Sequence, residues 1–304
     1  MTYPLILLLP QLFLWLGHHL TPTFTRITPD TALGQEQAAP NAPILLHKIP
    51  IPNQFLTAHA GLSYGGDIRI GDLTGDGQVD FLVYRAIDNF HDGGGMKPCF
   101  IGAFNMDGEL VWQKGGGGLQ PGRPGPVAIH DLDADGQTEV ITLFHQDHAD
   151  ADATSFADVD MLLLDGATGR TERHVHPSVF DRIRGEGADW AHQRILVANL
   201  RGRSVPQDIV IKLGPHVLAF DDRFNLLWSY ESSWHEYSKI PAYVPAVGDV
   251  DADGKDEVNG GYFLLDNDGS VLWAEMLGSN MDSVAIDYWD HPTQKRAFGS
   301  GYGH

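Results

Sequence analysis

GPVAIHDLDADGQTEVITLF, residues 125–144, recurs as GDIRIGDLTGDGQVDFLVYR at 66–85 and as PAVGDVDADGKDEVNGGYF at 245–263. The first aspartates of the three acidic loops are 59 and then 118 residues apart, and 118 is twice 59. A fixed period of this length indicates a repeat architecture in which each copy is one small group of elements. The doubled spacing predicts a divergent fourth copy, and RILVANLRGRSVPQDIVIK at 194–212 supplies it.

Each copy continues into an apolar hairpin, and three of these hairpins end in a tryptophan, at Trp112, Trp228 and Trp273. Asp-Gly pairs such as Asp107-Gly108 supply the positive φ that tight hairpin turns need. Four short strands in a unit of this length are typical of a propeller blade. We therefore predict an all-β fold, a β-propeller of four-stranded antiparallel blades, with four blades and the start of a fifth in the chain.

The predicted domain organisation has three parts. Residues 1–20 form a signal-like apolar segment, 21–45 a linker and 46–304 the propeller, with blades at about 66–115, 125–176, 193–231 and 244–277 and a partial blade at 282–304. The apolar run at 4–17 is too short for a stable membrane span and is typical of a secretory signal. We expect a secreted, periplasmic or cell-surface protein.

Composition narrows the class of partner. The formal net charge is −20, and 42% of the residues are hydrophobic. An acidic chain of this kind does not favour a nucleic acid, because phosphate binding depends on clustered lysine and arginine. The single cysteine, Cys99, excludes an intramolecular disulfide and is expected in a buried strand.

The acidic loops predict calcium as the cofactor. Oxygen atoms at loop positions one, three, five, seven and nine can converge on one hard cation, with position seven contributing its backbone carbonyl. The alternative is a set of Asx turns that cap backbone amides without metal. The predicted ligands are Asp72, Thr74, Asp76, Gln78 and Asp80 in the first blade, Asp131, Asp133, Asp135, Gln137 and Glu139 in the second, and Asp249, Asp251, Asp253, Lys255 and Glu257 in the fourth.

The third blade departs from this pattern. Asn199 and Asp208 are assigned to the first and ninth loop positions, but Arg201 and Arg203 stand at the third and fifth. Guanidinium groups there would repel or replace a metal ion. We expect this blade to need no calcium and its arginines to pair with Asp208 or with a neighbouring acidic loop.

Blade topology places the acidic loops on one face and the long polar loops on the other. Catalysis is expected among the long loops, since such loops on a rigid scaffold carry function. His192, Arg194 and Tyr243 supply the base, the cation and the phenol that β-elimination on a uronic acid needs. The alternative for each is a structural role. Side chains predicted to bind substrate are Tyr64, Arg123, Trp190, Trp234 and Tyr237.

A second candidate cluster lies in the polar loop that begins at His145. His145, Asp147, His148, Asp150 and Asp152 mix imidazole and carboxylate groups and could hold a transition metal or a further calcium. The alternative is an ordinary solvated loop.

The acidic loops and the hairpins of GDVDADGKDEVNGGYFLLDNDGSVLW resemble the calcium-bearing propellers of rhamnogalacturonan lyases and related polysaccharide lyases, and also FG-GAP or VCBS repeats. This resemblance covers residues 66–304. It implies an exported polysaccharide lyase that acts by β-elimination on an acidic polysaccharide, or a non-catalytic propeller that binds glycan or protein. Lyase propellers close with seven or eight blades, whereas this chain holds four and the start of a fifth. A fragment of a larger propeller is therefore one interpretation, and the sequence does not determine the total blade number. The sequence does not indicate an oligomeric state.

Overall fold

A computed structural model describes Ile49 and residues 68–86, 97–118, 125–145, 155–184, 193–232, 242–275, 281–289 and 292–301. All of these residues belong to one compact unit, Ile49–His304. The predicted signal segment and linker lie outside the described residues. Within the described residues, no helix has the length and hydropathy needed to cross a membrane.

The described elements are strands and one 3₁₀ turn, Phe180–Arg182. The first sheet consists of β1 (Ile68–Gly71), β2 (Asp80–Ala86), β3 (Pro98–Phe104) and β4 (Leu110–Gly115). The second consists of β5 (Val127–His130), β6 (Glu139–His145), β7 (Val159–Asp165) and β8 (Thr171–Val175). The third consists of β9 (Arg194–Ala198), β10 (Asp208–Leu213), β11 (His216–Phe220) and β12 (Leu226–Glu231). The fourth consists of β13 (Ala246–Gly248), β14 (Glu257–Asn259), β15 (Phe263–Leu265) and β16 (Val271–Ala274), and β17 (Met281–Tyr288) pairs with β18 (Lys295–Gly301).

Each of the four complete sheets is an antiparallel meander in chain order. The prediction of four-stranded antiparallel blades is therefore confirmed. In such a meander the loops after the first and third strands leave the sheet at the same end. The second-blade contact between the amide of Gly166 and the carbonyl of Thr138, 2.9 Å, joins two of these loops directly.

The burial of the middle strands shows how the sheets pack. β3, β6 and β10 are buried at every residue, whereas the outer strands β4 and β12 alternate between exposed and covered positions. A strand that is covered on both faces becomes a continuous apolar run, as ITLF and IVI do here. The second and third sheets are therefore each sandwiched between two neighbouring sheets.

Contacts between the first strands of successive sheets give the order of the blades. β1 contacts β5, β5 contacts β9, β9 contacts β13, and β13 contacts β17. The approach is close at Gly71, where a Cβ atom would lie 2.9 Å from the side chain of Ile129. Three apolar clusters fill the spaces between adjacent blades. This side-by-side arrangement of four-stranded sheets around their first strands is the propeller architecture that the repeat predicts.

The tryptophans that end the hairpins link neighbouring blades. Trp112 Nε1 donates to the carbonyl of Gly166 in the next blade at 2.6 Å, and Trp228 Nε1 donates to the carbonyl of Asn267 at 2.8 Å. In the second blade Arg173 takes this role, since its Nη1 donates to the carbonyl of Asp222. The same outer-strand position thus joins each of the first three blades to the turn of its successor.

Cys99 lies in β3 and is fully buried, as expected. Burial raises the pKa of its thiol to about 12, and the charge of Arg85 opposes that shift. The thiol is therefore an apolar core group and not a nucleophile at neutral pH.

Candidate functional site: the acidic loops and the opposite face

The loop between β5 and β6 gathers four carboxylates. Asp131, Asp133, Asp135 and Glu139 each place one oxygen within 4.8 Å of the others. Asp131 shapes the loop, since its Oδ1 accepts from the amide of Asp135 at 3.1 Å and its Oδ2 from that of Gly136 at 2.9 Å. The chain turns sharply at Gly136, whose φ is 90°. The side chains predicted as ligands therefore converge from positions one, three, five and nine.

The loop between β13 and β14 repeats this arrangement with three carboxylates, those of Asp249, Asp251 and Glu257. Asp253, predicted as a fourth ligand, lies outside this group, and its Oδ2 is 3.6 Å from Lys255 Nζ. The carboxylate of Glu257 is fully buried. Its Oε2 accepts from the amide of Val250 at 2.6 Å, whereas its Oε1 has no hydrogen-bond partner.

The electrostatics of both loops favour a bound cation. Burial raises the pKa of Glu139 and of Glu257 to about 7, and the charges of the neighbouring aspartates raise it further. The hydrogen bonds that each carboxylate accepts from backbone amides oppose this shift. A buried carboxylate oxygen without a partner is costly unless a positive group meets it. An all-oxygen donor set of this kind fits a hard divalent cation such as calcium.

The first loop, between β1 and β2, is organised differently. Asp80 Oδ2 accepts from the amides of Leu73 and Thr74 and from the Thr74 hydroxyl, all at 2.9–3.0 Å. Among the described residues, three or more acidic side chains converge in the second and in the fourth loop but not in this one. Asp72 accepts from the amides of Gly75 and Gly77, as an Asx turn does. The metal ligands predicted here, Asp72, Thr74, Asp76, Gln78 and Asp80, stay a prediction.

At position seven, the three loops share one backbone contact. The amides of Gln78, Gln137 and Lys255 each donate to the aspartate at position five at 2.8 Å. This contact fixes the direction of the peptide whose carbonyl is the predicted ligand.

The third loop is closed by arginine. Arg201 Nε lies 2.6 Å from Asp208 Oδ1, and its Nη2 lies 2.5 Å from Asp222 Oδ1. Arg203 Nη2 lies 3.3 Å from the same Asp222 oxygen. Burial would raise the pKa of Asp222, but the hydrogen bond from Arg201 and the two guanidinium charges hold it below its usual value.

The assignment of Asp208 to the ninth loop position is wrong by one residue. Nine residues, 199–207, separate the paired strand ends of the third blade, and eight, 131–138, separate those of the second. Asp208 nevertheless takes the place of Glu139 at the start of the second strand, because both accept an amide seven residues earlier. The loop accommodates the extra residue.

The face opposite the acidic loops holds two of the predicted catalytic residues. Arg194 begins β9 and is half-buried, and Tyr243 is 6% exposed just before β13. Sequence reasoning missed Lys212, which is fully buried, pairs with Arg194 across the strands and places Nζ 5.9 Å from the centre of the Tyr243 ring. Residues that pair directly across two strands project from the same side of their sheet. Arg194 and Lys212 therefore place two positive charges on one side of the third sheet, and the Tyr243 ring lies beside Lys212. Its signal was the lysine within the apolar run IVIKL.

The other residues predicted on this face lie outside the described residues. They are the proposed base His192 and the proposed substrate-binding residues Tyr64, Arg123, Trp190, Trp234 and Tyr237.

The loop that begins at His145 contributes one described residue to a different cluster. His145 Nε2 lies 3.0 Å from Asp158 Oδ2, and Lys97 Nζ lies 2.6 Å from Asp158 Oδ1. Lys97 and His145 are buried and come from neighbouring blades. Asp147, His148, Asp150 and Asp152 lie outside the described residues, so the proposed metal site there stays a prediction.

The chain is similar in sequence to two rhamnogalacturonan lyases. The chain is 26% identical to rhamnogalacturonan exolyase YesX of Bacillus subtilis over 247 residues, 70% of this chain and 40% of that protein. It is 25% identical to rhamnogalacturonan endolyase YesW of the same bacterium over 276 residues, 76% of this chain and 44% of that protein. The chain thus spans about two fifths of the length of these curated relatives. No protein-family profile matches the chain.

Solved structures agree on the fold. The rhamnogalacturonan lyase PL11 of Bacillus licheniformis has a TM-score of 0.58 at 24% identity, over 78% of this chain and 46% of that one. The exotype lyase YesX has a TM-score of 0.56 at 21% identity, over 78% of this chain and 45% of that one. At these identities the structural likeness establishes the fold alone.

Proposed function

We propose that this chain belongs to an exported, calcium-binding polysaccharide lyase that cleaves an acidic polysaccharide by β-elimination. The observation that carries the proposal is the similarity to two curated lyases of one polymer, rhamnogalacturonan, across 70% and 76% of the chain. One of these relatives is an exolyase and the other an endolyase, so the similarity supports the substrate class and not the cleavage mode. The name of the polymer records its galacturonic acid units.

Elimination makes three chemical demands on the enzyme. A base removes the C5 proton beside the uronate carboxyl, the electron pair forms the C4–C5 double bond, and the C4–O bond breaks. The departing oxygen takes up a proton, and no water is consumed. A cation that neutralises the carboxylate stabilises the negative charge that develops at C5.

On the face opposite the acidic loops, two described residues could meet two of these demands. Arg194 is the side chain we assign to the substrate carboxylate, because it is charged, half-buried and at the entrance of an innermost strand. Buried Lys212 adds positive potential on the same sheet face. Tyr243 is assigned to protonate the departing oxygen. His192, proposed as the base, precedes Arg194 by two residues in the sequence.

Calcium is assigned to the face opposite the proposed reaction site. The second and fourth loops supply its ligands through the carboxylates that converge there. Bound calcium would neutralise those carboxylates and hold the loops in place, which is a structural contribution. Export is proposed on the apolar run at 4–17.

The test measures ultraviolet absorbance of C4–C5 unsaturated uronate while the full chain is incubated with rhamnogalacturonan and, separately, with other uronate polymers. We expect product from rhamnogalacturonan, and Arg194→Gln should lower kcat/KM by about 100-fold, as loss of one stabilising donor does. Arg170→Gln is the control of equal charge, since Arg170 is 67% exposed and pairs with Glu172.

Two outcomes would contradict the proposal. Polymer binding without unsaturated product would favour the alternative, a non-catalytic propeller that binds glycan. An equal loss of activity in both arginine variants would remove Arg194 from its assigned role.

A further inference from the structure

The loop of the third blade, which carries arginines in place of carboxylates, is hydrogen-bonded to the acidic loop of the fourth blade. We infer that Arg201 serves as the permanent cation of the third loop, and that the loop it orders positions the fourth-blade loop for calcium. Arg201 is therefore a positioning residue for a metal that it does not touch. The inference rests on calcium binding by the fourth loop, as proposed above.

Arg201 meets the requirements of a cation substitute. Its guanidinium bridges two carboxylates, Asp208 at 2.6 Å and Asp222 at 2.5 Å. Asp208 is fully buried, and Asp222 is 17% exposed. The backbone amide of Arg201 donates a further hydrogen bond of 3.0 Å to Asp208 Oδ2. A guanidinium fork can hold two acceptors in fixed directions, which a point charge on a flexible stem cannot do. The loop is thus ordered without any ion.

The third loop contacts the fourth loop through hydrogen bonds of Asn199. The amide of Asn199 donates to Asp256 Oδ2 at 2.7 Å, and the amide of Asp256 donates back to the carbonyl of Asn199 at 3.0 Å. Asn199 Nδ2 also reaches the carbonyl of Gly254 at 3.3 Å. Asn199 is fixed in turn by the third loop, since its Oδ1 accepts from the amide of Arg203 at 2.6 Å.

These contacts fall on the segment that presents the metal ligands of the fourth blade. Asp256 immediately precedes Glu257, and Gly254 lies at the sharp turn of the loop, with φ of 88°. Glu257 is fully buried, its Oε1 has no partner, and it lies within 4.8 Å of the oxygens of Asp249 and Asp251. The hairpin turn of the fourth blade adds another contact between the two blades, since Asn267 Nδ2 donates to the carbonyl of Leu200 at 3.1 Å.

Preorganisation of this kind raises affinity because the loop loses less conformational freedom when the ion binds. Arg201→Gln removes the bridging charge and frees the third loop, so the fourth loop must be ordered by calcium itself. We expect the calcium Kd of that loop to rise about tenfold, the effect of losing roughly one to two net hydrogen bonds. Arg201→Lys keeps the charge but not the fork and should recover part of the loss.

The experiment is a double-mutant cycle on the full chain with Arg201→Gln and Glu257→Gln, read by calcium calorimetry and by hydrogen exchange of residues 249–257 without calcium. Arg201→Gln should weaken calcium binding in the wild-type background and have no further effect on binding when Glu257 is already replaced. It should also speed hydrogen exchange in the fourth loop. Asn199→Ala, which changes no charge, should reproduce both effects if Arg201→Gln fails to fold. Arg170→Gln should change neither.

The outcomes separate this inference from the proposed function. Unchanged calcium affinity and unchanged exchange in Arg201→Gln and Asn199→Ala would overturn it. Additive losses in the cycle would also overturn it, because the arginine would then act by general destabilisation. Faster exchange in a chain that binds no calcium would refute the calcium assignment and, with it, the effect on affinity, while leaving the contact between the loops established.

Discussion

Glu257→Gln should stabilise the calcium-free protein and destabilise the calcium-loaded one. In the folded chain without metal, burial raises the pKa of Glu257 to about 7 from an ordinary 4.5, and the neighbouring Asp251 and Asp249 add to the shift against the bond from Val250. The unfolded chain therefore releases this proton at lower pH than the folded chain does. Between pH 4.5 and 7 the metal-free fold loses stability as the pH rises, and above 7 the loss is complete.

The size of that loss follows from the shift. A change from 4.5 to about 7 corresponds to about 3 kcal/mol, since one pKa unit is about 1.4 kcal/mol. Glutamine has nearly the same shape and no charge to desolvate, and its carbonyl can still accept the Val250 amide. In EGTA at pH 8 the variant should unfold about 6 to 12 °C above the wild type. At pH 4.5 the two should unfold together.

In excess calcium the wild type should unfold at a higher temperature than Glu257→Gln. An ion that binds only the folded wild type adds about 2.7 kcal/mol of stability at a free concentration of 100 Kd, and the variant has lost a ligand of the site. Thermal unfolding in EGTA and in excess calcium, at pH 4.5 and 8, measures all four cases, with exposed Glu109→Gln as the control of equal charge. A variant that is less stable than the wild type in EGTA at pH 8 would refute the reasoning, because Glu257 would then be held by a contact that tolerates its charge.

Three further outcomes are expected. Trp112→Phe should cost about 1 kcal/mol in chemical denaturation, the value of the hydrogen bond to the next blade, whereas Trp289→Phe, at a site 69% exposed, should change stability by less than about 0.5 kcal/mol. Asp158→Asn removes the carboxylate 2.6 Å from a fully buried lysine amine and should cost about 3 kcal/mol, measured in the same way; a cost near zero would mean that the amine is equally well held elsewhere. Calorimetry at saturating calcium should find that Asp133→Asn removes one calcium equivalent and that Asp208→Asn removes none. An equivalent lost with Asp208→Asn, while hydrogen exchange of residues 249–257 stays unchanged, would place a metal in the third loop.

The repeat made the sheets predictable. Apolar runs such as those in β6 and β10 recur at one period with turn residues between them, and a period is visible without any knowledge of distant contacts. Antiparallel meander topology then assigns every loop to one of two faces. The position of the acidic loops relative to the long polar loops therefore follows from strand count alone.

The side chains that join blades could not be found in this way. Lys97 meets Asp158 across 61 residues, and Lys212 meets Tyr243 across 31, and neither lysine belongs to the repeated pattern. Each stands in or beside an apolar run where a lysine contradicts the local pattern. Such a contradiction indicates a buried charge with a partner, but only the packing of two blades supplies the identity of that partner.

In the third loop, too, one part of the site was predictable from the sequence and another part was not. Two arginines at aspartate positions are visible in the sequence, and they predict a loop without metal. The second carboxylate that Arg201 needs comes from Asp222, in the hairpin beyond the repeat, and the inserted residue shifts Asp208 out of the counted register. The cation that meets these carboxylates is the guanidinium of Arg201, and the paired residues come from a loop, a strand end and a turn. A search for ligand spacing therefore finds that two carboxylates are missing from the third loop, but it cannot find the arginine–aspartate pairs that stand there.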